Sequence, residues 1–328
     1  MKIVITGSAG YIGSCLFEYL KKKYEVFGVD KTLPKIKKQK NFIQCNLLNF
    51  NKIDKIIRII EPEVIIHLAA KSTIDFIDKK REYIKNNVIV TKNILRSTKK
   101  NNIKHLIFSS TAAVYKSSNN KLSEKSKLGP NNIYGKTKLD CEKLIIKNIN
   151  KASKTNFIIF RFFNVCSSLF SLKIGEIHNP ETHLIPILAE KFEKNRKVYI
   201  YGNNFKTLDK TCIRDYIHIA DIVEAFEKGI KYIKKNKKSE IINLGTKKGF
   251  STLSIFRTFQ KFYDYKFENP LFKDRRKGDV DKLICDNKKS YKTLKWKPKF
   301  STLSNIIRDE KNWLSYITNK KISRKTIY

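Results

Sequence analysis

The chain has 328 residues, of which 41% are hydrophobic, so it can bury a core in one or two closely packed domains. Its 69 Lys and Arg residues outnumber its 30 Asp and Glu residues, which gives a formal net charge of +39. No stretch of about eighteen apolar residues occurs, so we expect no membrane-spanning helix. Residues 1–6 have the pattern of a strand and not of a signal peptide, so a cytoplasmic location is expected.

The positive charge is distributed along the whole chain, for example in residues 21–23, 35–40 and 231–238, and many Asn and Ile residues accompany it. This distribution favours a coding bias toward lysine, so we do not expect nucleic acid as a partner. The cysteines lack the short pairings that zinc sites and redox dithiols need, which predicts buried reduced thiols and no resident metal. The six are Cys15, Cys45, Cys141, Cys166, Cys212 and Cys285.

Short β-branched stretches alternate with longer amphipathic stretches in the first half of the chain, a pattern that predicts βαβ units and a parallel sheet. The predicted strands are residues 2–6, 25–29, 41–44, 64–68, 104–109 and 156–162. The predicted helices between them are residues 13–23, 51–60, 83–101 and 134–150. This order is typical of a Rossmann-type, doubly wound α/β fold.

Beyond residue 164 the regularity falls, and loops separate shorter elements, including helices near 184–194 and 219–231. We therefore expect two closely packed domains. Residues 1–165 form the predicted cofactor-binding domain, and residues 166–328 form a smaller substrate-binding domain. Some segments of the second domain, such as residues 215–231, can pack against the first domain.

A glycine-rich turn follows the first predicted strand at Gly7, Gly10 and Gly13 and opens a helix. Glycines allow backbone N–H groups to approach a pyrophosphate at a helix N-terminus. Asp30 ends the second strand, where a carboxylate can accept hydrogen bonds from the ribose hydroxyls of NAD and repel the extra phosphate of NADP. A purely structural turn remains an alternative, and Lys31 weakens the preference for NAD.

A second motif, Tyr134-Gly-Lys-Thr-Lys138, begins a predicted helix, and Ser109-Ser-Thr111 ends the strand upstream. Residues four apart share a helix face, so Lys138 is expected to lower the pKa of the Tyr134 phenol. Such a phenol can act as a base near neutral pH, and the Thr111 hydroxyl can share the proton. The alternative interpretation is a surface helix on which the tyrosine and lysine only pack.

Nine stretches carry a family resemblance: TGSAGYIGS from Thr6, HLAAK from His67, NNV from Asn86, FSSTAAVY from Phe108, YGKTK from Tyr134, RFFNV from Arg161, HNPETHLIP from His178, CIRDYIHIAD from Cys212 and RRKGD from Arg275. With them the chain resembles the extended short-chain dehydrogenase/reductase family and, within it, the UDP-glucose 4-epimerases. The family's dehydratases carry Asp-Glu after the Ser/Thr, whereas this chain has Ala112-Ala113. Elimination of water is therefore not expected.

The resemblance implies a role for each matching residue. Tyr134 would be the catalytic base, Lys138 its partner and a ribose contact, and Thr111 the proton-sharing hydroxyl. The implied NAD contacts are Gly7, Gly10, Tyr11, Ile12, Gly13, Asp30, Asn46, Leu47, Leu68, Ala69, Ala70, Lys71, Asn86, Ser109, Tyr134, Lys138 and Phe162. The implied UDP-sugar contacts are Thr111, Tyr134, Asn164, His183, Leu184, Tyr201, Arg214, Arg276 and Asp279.

Two arginines in this set can neutralise a diphosphate, and Tyr201 can stack on uracil. The alternatives are purely structural roles: an internal ion pair between Arg214 and Asp215, and a core position for Tyr201. Three features depart from the family pattern: Asn46 replaces an Asp, Phe162 replaces a Tyr, and STIDFID follows Lys71.

The activity that the resemblance implies is inversion of C4 in UDP-glucose or UDP-galactose, through transient oxidation by bound NAD. The alternative is a C4 epimerase of UDP-N-acetylglucosamine, UDP-xylose or UDP-glucuronate. Leu283 matches a position that controls space beside the C2 substituent of the sugar. A homodimer is also implied, through the helices near 83–101 and 134–150.

An alternative from another class of function is a catalytically inactive, RNA-binding relative. The presence of Thr111, Tyr134 and Lys138 argues against it.

Overall fold

The computed structural model describes residues 1–72, 80–149, 154–178, 180–263, 265–266, 268–276 and 278–322. Within these residues the strands are β1 (Lys2–Thr6), β2 (Glu25–Asp30), β3 (Phe42–Gln44), β4 (Val64–His67), β5 (His105–Thr111), β6 (Asn156–Phe162), β7 (Asn164–Cys166), β8 (Tyr199–Tyr201), β9 (Ile213–Arg214), β10 (Tyr216–His218), β11 (Glu240–Leu244), β12 (Phe250–Ser251), β13 (Leu271–Lys273) and β14 (Lys282–Leu283). The six strands predicted from the sequence are confirmed, with ends that differ by at most two residues.

The helices of the described residues are α1 (Tyr11–Leu20), α2 (Phe50–Ile60), α3 (Lys80–Tyr83), α4 (Val90–Lys100), α5 (Ile133–Asn148), α6 (Leu184–Glu193), α7 (Ile219–Asn236), α8 (Thr252–Gln260), α9 (Lys288–Leu294) and α10 (Leu303–Asn319). A π-helical stretch, Ile84–Ile89, joins α3 to α4, so the single helix predicted at 83–101 is interrupted. None of the described helices has the length and apolarity that crossing a bilayer requires.

The central sheet has seven parallel strands among the described residues, in the order β11-β6-β5-β4-β1-β2-β3. The strand order reverses between β1 and β4, which is the place where such sheets bind ligands beyond their carboxyl ends. Because all seven strands run in one direction, the ends of β1, β2, β4, β5 and β6 meet at one edge. The Rossmann-type, doubly wound α/β fold is confirmed.

Helices cover both faces of the sheet. Alternate residues of β1 divide between the faces: Ile3 and Ile5 pack with α1 and α7, whereas Val4 packs with α2, α4 and α5. All three side chains are fully buried. This alternation follows from the two-residue period of a strand and produces the three-layer arrangement.

The sheet takes its seventh strand from the second half of the chain. Strand β11 was not predicted; it is short, and it pairs with β6, which lies far away in sequence. Helix α7 also packs on this sheet, with Phe226 against the ring of Phe160. The division at residue 165 therefore stays a prediction about function, because residues on both sides of it build one core.

The rest of the second half has a core of its own, in which Phe192 of α6, Phe256 of α8 and Trp313 of α10 pack together. Short sheets of two or three strands surround this core, namely β7 with β10, β9 with β12 and β14, and β8 with β13. The sheet of β7 and β10 lies next to the carboxyl edge of the central sheet, because β7 follows β6 directly.

Candidate functional site

The glycine turn after β1 has almost no room for side chains. Gly7 has φ +76°, and a Cβ on it would lie 2.6 Å from the Ala69 nitrogen. A Cβ on Gly13 would lie 2.0 Å from the Gly7 oxygen, whereas one on Gly10 would meet nothing nearer than 3.4 Å. Glycine is therefore required at Gly7 and Gly13 for the turn itself. The result is a bare backbone at the N-terminus of α1, where a phosphate can approach.

Asp30 ends β2 beside this turn. Its Oδ2 accepts a hydrogen bond from the Ala9 nitrogen at 3.1 Å, and its Oδ1 accepts from both the nitrogen and the Oγ1 of Thr32 at 3.1 Å. The carboxylate is thus fixed at the strand end, partly exposed and next to the glycines. A bare backbone at a helix N-terminus and a carboxylate at the end of the next strand fit a dinucleotide such as NAD.

The predicted residues after β4 are Leu68, Ala69, Ala70 and Lys71, and all four are partly exposed at the same edge. The side chain of Asn87 holds this loop, because its Oδ1 accepts from the Lys71 nitrogen at 2.7 Å and its Nδ2 donates to the Lys71 oxygen at 3.2 Å. Asn87 was not among the predicted residues, although it lies in the NNV stretch. The predicted Asn86 is partly exposed, and its Nδ2 donates to the Glu82 oxygen.

The remaining predicted cofactor residues lie along the same edge with different exposures. Ser109 and Phe162 are buried at the ends of β5 and β6. Leu47 is also buried, whereas Asn46 is exposed and its Oδ1 accepts from the Leu48 nitrogen at 3.1 Å. Tyr11 and Ile12, the first residues of α1, are partly exposed. Of the STIDFID stretch, residues 73–79 lie outside the described part of the chain.

Thr111, Tyr134 and Lys138 meet at the end of β5. Thr111 is the last residue of this strand, and Tyr134 is the second residue of α5. Asn132 begins the helix, since its Oδ1 accepts from the Gly135 nitrogen at 2.8 Å. Lys138 follows one turn later and is 2% exposed, with its Nζ 4.4 Å from the centre of the Phe108 ring. This arrangement places a phenol, a hydroxyl and a buried ammonium group at the sheet edge.

The predicted net lowering of the Tyr134 pKa is wrong. Burial raises the pKa of Tyr134 to about 12, and the hydrogen bond with Thr111 opposes this rise. Burial also lowers the pKa of Lys138 to about 8, against the attraction of Cys141 and Glu142. Desolvation disfavours the charged form of each group, and it is the largest cause of both shifts.

A buried polar network lies directly beneath these three residues. Arg161 of β6 donates to Glu142 of α5 from Nη2 at 2.6 Å and from Nε at 3.0 Å. The Nη1 of Arg161 donates to the Tyr115 hydroxyl at 2.9 Å, which donates in turn to Oδ1 of Asn243 at 2.7 Å. Ser110, next to Thr111, donates to the same glutamate. The network ties β5, β6, β11 and α5 together beneath Thr111, Tyr134 and Lys138.

Four of the predicted substrate residues form a second group. The guanidinium carbon of Arg276 lies 4.0 Å from the centre of the Tyr201 ring. The Nη2 of Arg214 lies 3.4 Å from Oδ1 of Asp279, and the Asp279 nitrogen donates to the Arg276 oxygen at 3.2 Å. Two guanidinium groups, an aromatic ring and a carboxylate are therefore brought together at β8 and β9.

Arg214 does not pair with its neighbour Asp215. The Asp215 carboxylate is buried and accepts instead from Thr246 Oγ1 at 2.6 Å and from the backbone nitrogens of Thr246, Lys247 and Cys285. Burial raises the pKa of Asp215 to about 6, although these hydrogen bonds oppose the rise. The alternative of an internal pair with Asp215 is therefore wrong, and Tyr201 is 37% exposed and not a core residue.

The other predicted substrate residues lie on separate elements. Asn164 begins β7, and its nitrogen donates to the Asp215 oxygen at 2.9 Å. His183 precedes α6, with its Nδ1 2.5 Å from Oε1 of Glu176, and Leu184 is the first residue of that helix. Burial lowers the pKa of His183, but the Glu176 carboxylate more than offsets this effect and raises the pKa to about 10.

Most of the chain matches a known protein family. The sequence model of the NAD dependent epimerase/dehydratase family matches residues 3–245. The chain belongs to the NAD dependent epimerase/dehydratase family. This membership confirms the predicted family resemblance and the predicted cofactor class.

Similar proteins span nearly the whole chain. The UDP-glucose 4-epimerase of Lactobacillus helveticus is 33% identical over 321 residues, which cover 95% of this chain and 97% of that protein. The UDP-glucose 4-epimerase of Streptococcus mutans is 34% identical over 327 residues, with coverage of 96% and 97%. A crystal structure of UDP-glucose 4-epimerase from Bifidobacterium longum, in complex with NAD+ and UDP, has a TM-score of 0.88 at 26% identity and covers 97% of this chain and 99% of that one.

Proposed function

We propose that this protein is an NAD-dependent UDP-glucose 4-epimerase that interconverts UDP-galactose and UDP-glucose. The observation that carries the proposal is the grouping of Thr111, Tyr134 and Lys138 at the sheet edge that also holds the glycine turn and Asp30. Family membership and the activity of the similar proteins from Lactobacillus helveticus and Streptococcus mutans support it.

In this proposal Tyr134 removes the proton from the 4-hydroxyl of the sugar and returns it when the ketone is reduced from the opposite face. The glycine turn, Asp30 and the residues at the strand ends would hold NAD, which would supply the acceptor and donor of the hydride. Thr111 shares the proton through its hydrogen bond with Tyr134. The alanines at 112 and 113 provide no acid or base for elimination, so epimerisation and not dehydration is expected.

Lys138 contributes positive charge to this chemistry. At pH 7 it stays protonated, because the pH lies below its pKa of about 8. The pKa of Tyr134 is about 12, so its phenolate needs nearby positive charge to form at neutral pH. Lys138, one helical turn from Tyr134, is the cation placed to stabilise that phenolate.

The group of Tyr201, Arg214, Arg276 and Asp279 is proposed to hold the UDP part of the substrate. Two guanidinium groups can neutralise the diphosphate with charge-assisted hydrogen bonds. Because Arg276 covers one face of the Tyr201 ring, uracil would stack on the other face. Asn164, His183 and Leu184 would complete the substrate contacts. Strong anchoring of the nucleotide leaves the hexose free to turn between the two hydride transfers.

The test is incubation of the purified protein with UDP-galactose, without added reductant, while formation of UDP-glucose is followed. Product from the wild-type protein and none from Tyr134→Phe would support the proposal. Absence of product from folded protein that contains NAD would contradict the glucose/galactose assignment. UDP-N-acetylglucosamine, UDP-xylose and UDP-glucuronate would then be assayed, and Leu283 in β14 would be the first residue to vary.

We also propose that the enzyme works in the cytoplasm, in galactose metabolism, as a homodimer. Support for the dimer comes from exposed apolar residues on the two predicted helical regions: Ile84 is 37% exposed, Ile89 is 41% exposed and Ile146 of α5 is 45% exposed. Light scattering after size exclusion should give twice the chain mass of 38.4 kDa. A mass that falls to that of one chain in Ile89→Lys would support this interface, and an unchanged mass would contradict it.

A further inference from the structure

Four side chains outside the reactive group form a compact cluster, the Glu/His cluster, which consists of Glu176, His178, Glu181 and His183. Each offers one ligand atom, and these four atoms all lie within 4.8 Å of one another. Glu176 is 0% exposed and Glu181 is 4% exposed, whereas His178 is partly exposed and His183 is exposed. The two carboxylates thus lie inside the protein, and the two imidazoles connect them to the surface.

Both imidazoles point the same nitrogen toward the carboxylates. The Nδ1 atoms of His178 and His183 lie 2.6 Å and 2.5 Å from Oε1 of Glu176. The same two nitrogens lie 3.8 Å and 3.5 Å from Oε1 of Glu181. Two nitrogens and two oxygens therefore converge on one point, from residues that lie close together in sequence.

One oxygen of the Glu/His cluster supplies an independent sign of a ligand. Oε1 of Glu181 accepts hydrogen bonds from the nitrogens of Thr182 and His183 at 2.8 Å and 2.9 Å. Its Oε2 is buried and has no hydrogen-bond partner among the described residues. A buried carboxylate oxygen is costly unless a donor or a cation satisfies it.

We propose that the Glu/His cluster is a binding site for a divalent transition metal of the zinc class. Two imidazole nitrogens and two carboxylate oxygens suit zinc, whereas calcium and magnesium prefer sets made of oxygen alone. The two negative charges of Glu176 and Glu181 balance the charge of the ion. The absence of paired cysteines in the sequence does not argue against this site, because it uses no sulfur.

The distances require a small adjustment around the ion. Zinc bonds of about 2.0–2.1 Å in a tetrahedral arrangement place neighbouring ligand atoms about 3.4 Å apart. The contacts to Glu181 Oε1, at 3.5 Å and 3.8 Å, already fit this separation. The shorter contacts to Glu176 Oε1 lengthen as the ion enters between the groups. The backbone of Glu176 stays fixed, because its oxygen accepts from Trp313 Nε1 at 2.9 Å.

The first experiment is a titration of the full-length, chelator-treated protein with zinc chloride, by calorimetry and thermal unfolding, without substrate. We expect one zinc ion for each chain and a melting temperature that rises with zinc concentration. X-ray absorption should give a first shell of nitrogen and oxygen alone.

Variants then locate the site. His178→Gln and Glu181→Gln should each weaken zinc binding by at least about tenfold, since even outer-shell changes cost about 10–100-fold. The control is His105→Gln, which also replaces a histidine by glutamine but lies on β5, away from the Glu/His cluster. It should bind zinc as the wild type does. Circular dichroism checks that each variant is folded. If His178→Gln is unfolded, the zinc affinity of Glu181→Gln tests the site.

Three results would overturn the proposal. They are no zinc binding by the wild type, wild-type zinc affinity in both cluster variants, and sulfur in the first coordination shell of the zinc. In the first case the cluster is a set of imidazolium–carboxylate ion pairs, and in the third the ion is bound by cysteine. Because binding is measured without UDP-galactose, the outcome does not depend on the proposed epimerase activity.

Discussion

The two groups of candidate functional residues differ in how they are held. Thr111, Tyr134 and Lys138 lie on a long strand and a 16-residue helix, above the network of Arg161 and Glu142. Tyr201 and the residues around it lie on strands of two or three residues and on the loops between them. Lys138 is 2% exposed, whereas Tyr201 is 37% exposed.

This difference suggests a division of labour. Proton transfer needs atoms fixed to a fraction of an ångström, which packed elements provide. Nucleotide binding needs charge and an aromatic surface, which short exposed strands can present. We therefore expect substitutions in the first group to change turnover or stability, and substitutions in the second to change affinity.

The largest expected effect is that of Tyr134→Phe. Loss of the hydroxyl should lower kcat by about 10²–10⁴-fold, the usual contribution of a general acid–base group. KM should change little, since the residues proposed to anchor the UDP part lie elsewhere. Steady-state kinetics with UDP-galactose measures both. The matched control is Tyr291→Phe, which changes a tyrosine that is 48% exposed and should leave both parameters at wild-type values.

Removal of one partner from the buried ion pair should reduce stability strongly. Arg161 and Glu142 are 2% and 1% exposed, so Arg161→Leu leaves a carboxylate buried without its cation. The free energy of unfolding, measured with urea, should fall by about 3–5 kcal/mol. Glu190→Gln breaks the exposed pair with Lys194 and should cost less than about 1 kcal/mol. Equal losses in the two variants would contradict the contrast between buried and exposed pairs.

Lys138→Met should stabilise the protein near neutral pH while lowering turnover. Below pH 8 the folded chain keeps a buried positive charge, because the pKa of Lys138 falls from 10.5 to about 8 on burial. Between pH 8 and 10.5 the unfolded chain binds this proton and the folded chain does not. The free energy of unfolding of the wild type therefore rises with pH in this window. That contribution amounts to about 3 kcal/mol.

The free energy of unfolding of the wild type and of Lys138→Met should therefore converge as the pH rises through this window. Urea unfolding at a series of pH values measures the difference. Lys136→Met, at an exposed position on the same helix, should keep the wild-type pH dependence. Parallel curves for wild type and Lys138→Met would show that the lysine is not desolvated in the folded protein.

The smallest effect is expected for Arg276→Ala, which tests the group proposed to bind the UDP part. KM for UDP-galactose should rise about tenfold, as expected for the loss of a charge-assisted hydrogen bond, with kcat unchanged. Arg257→Ala removes another exposed arginine, on α8, and should leave KM unchanged. A fall in kcat of similar size in Arg276→Ala would place this arginine among the residues that act on the reacting sugar.

The sequence was sufficient to predict most of the sheet, whereas the catalytic roles of Thr111, Tyr134 and Lys138 stay predictions. Strand periodicity and the alternation of strands with helices locate the strand ends, whereas the glycine turn, Thr111 and Tyr134 were found from their motifs. Burial was not predictable in the same way, because it depends on packing from distant elements. The pKa of Tyr134 therefore came out opposite to expectation, and the hydrogen bonds of Asn87 to Lys71 were missed.

The position of β11 has a consequence for how this chain folds during synthesis. Strand β6 ends at residue 162, but its outer neighbour and Asn243, which completes the network of Arg161, come from residues 240–244. A ribosome-bound chain that ends before this point presents the open edge of β6, and such edges pair with other strands. The first half should therefore aggregate when it is expressed alone, and protection from hydrogen exchange of the β6 amides that face β11 should appear only in nascent chains that include β11.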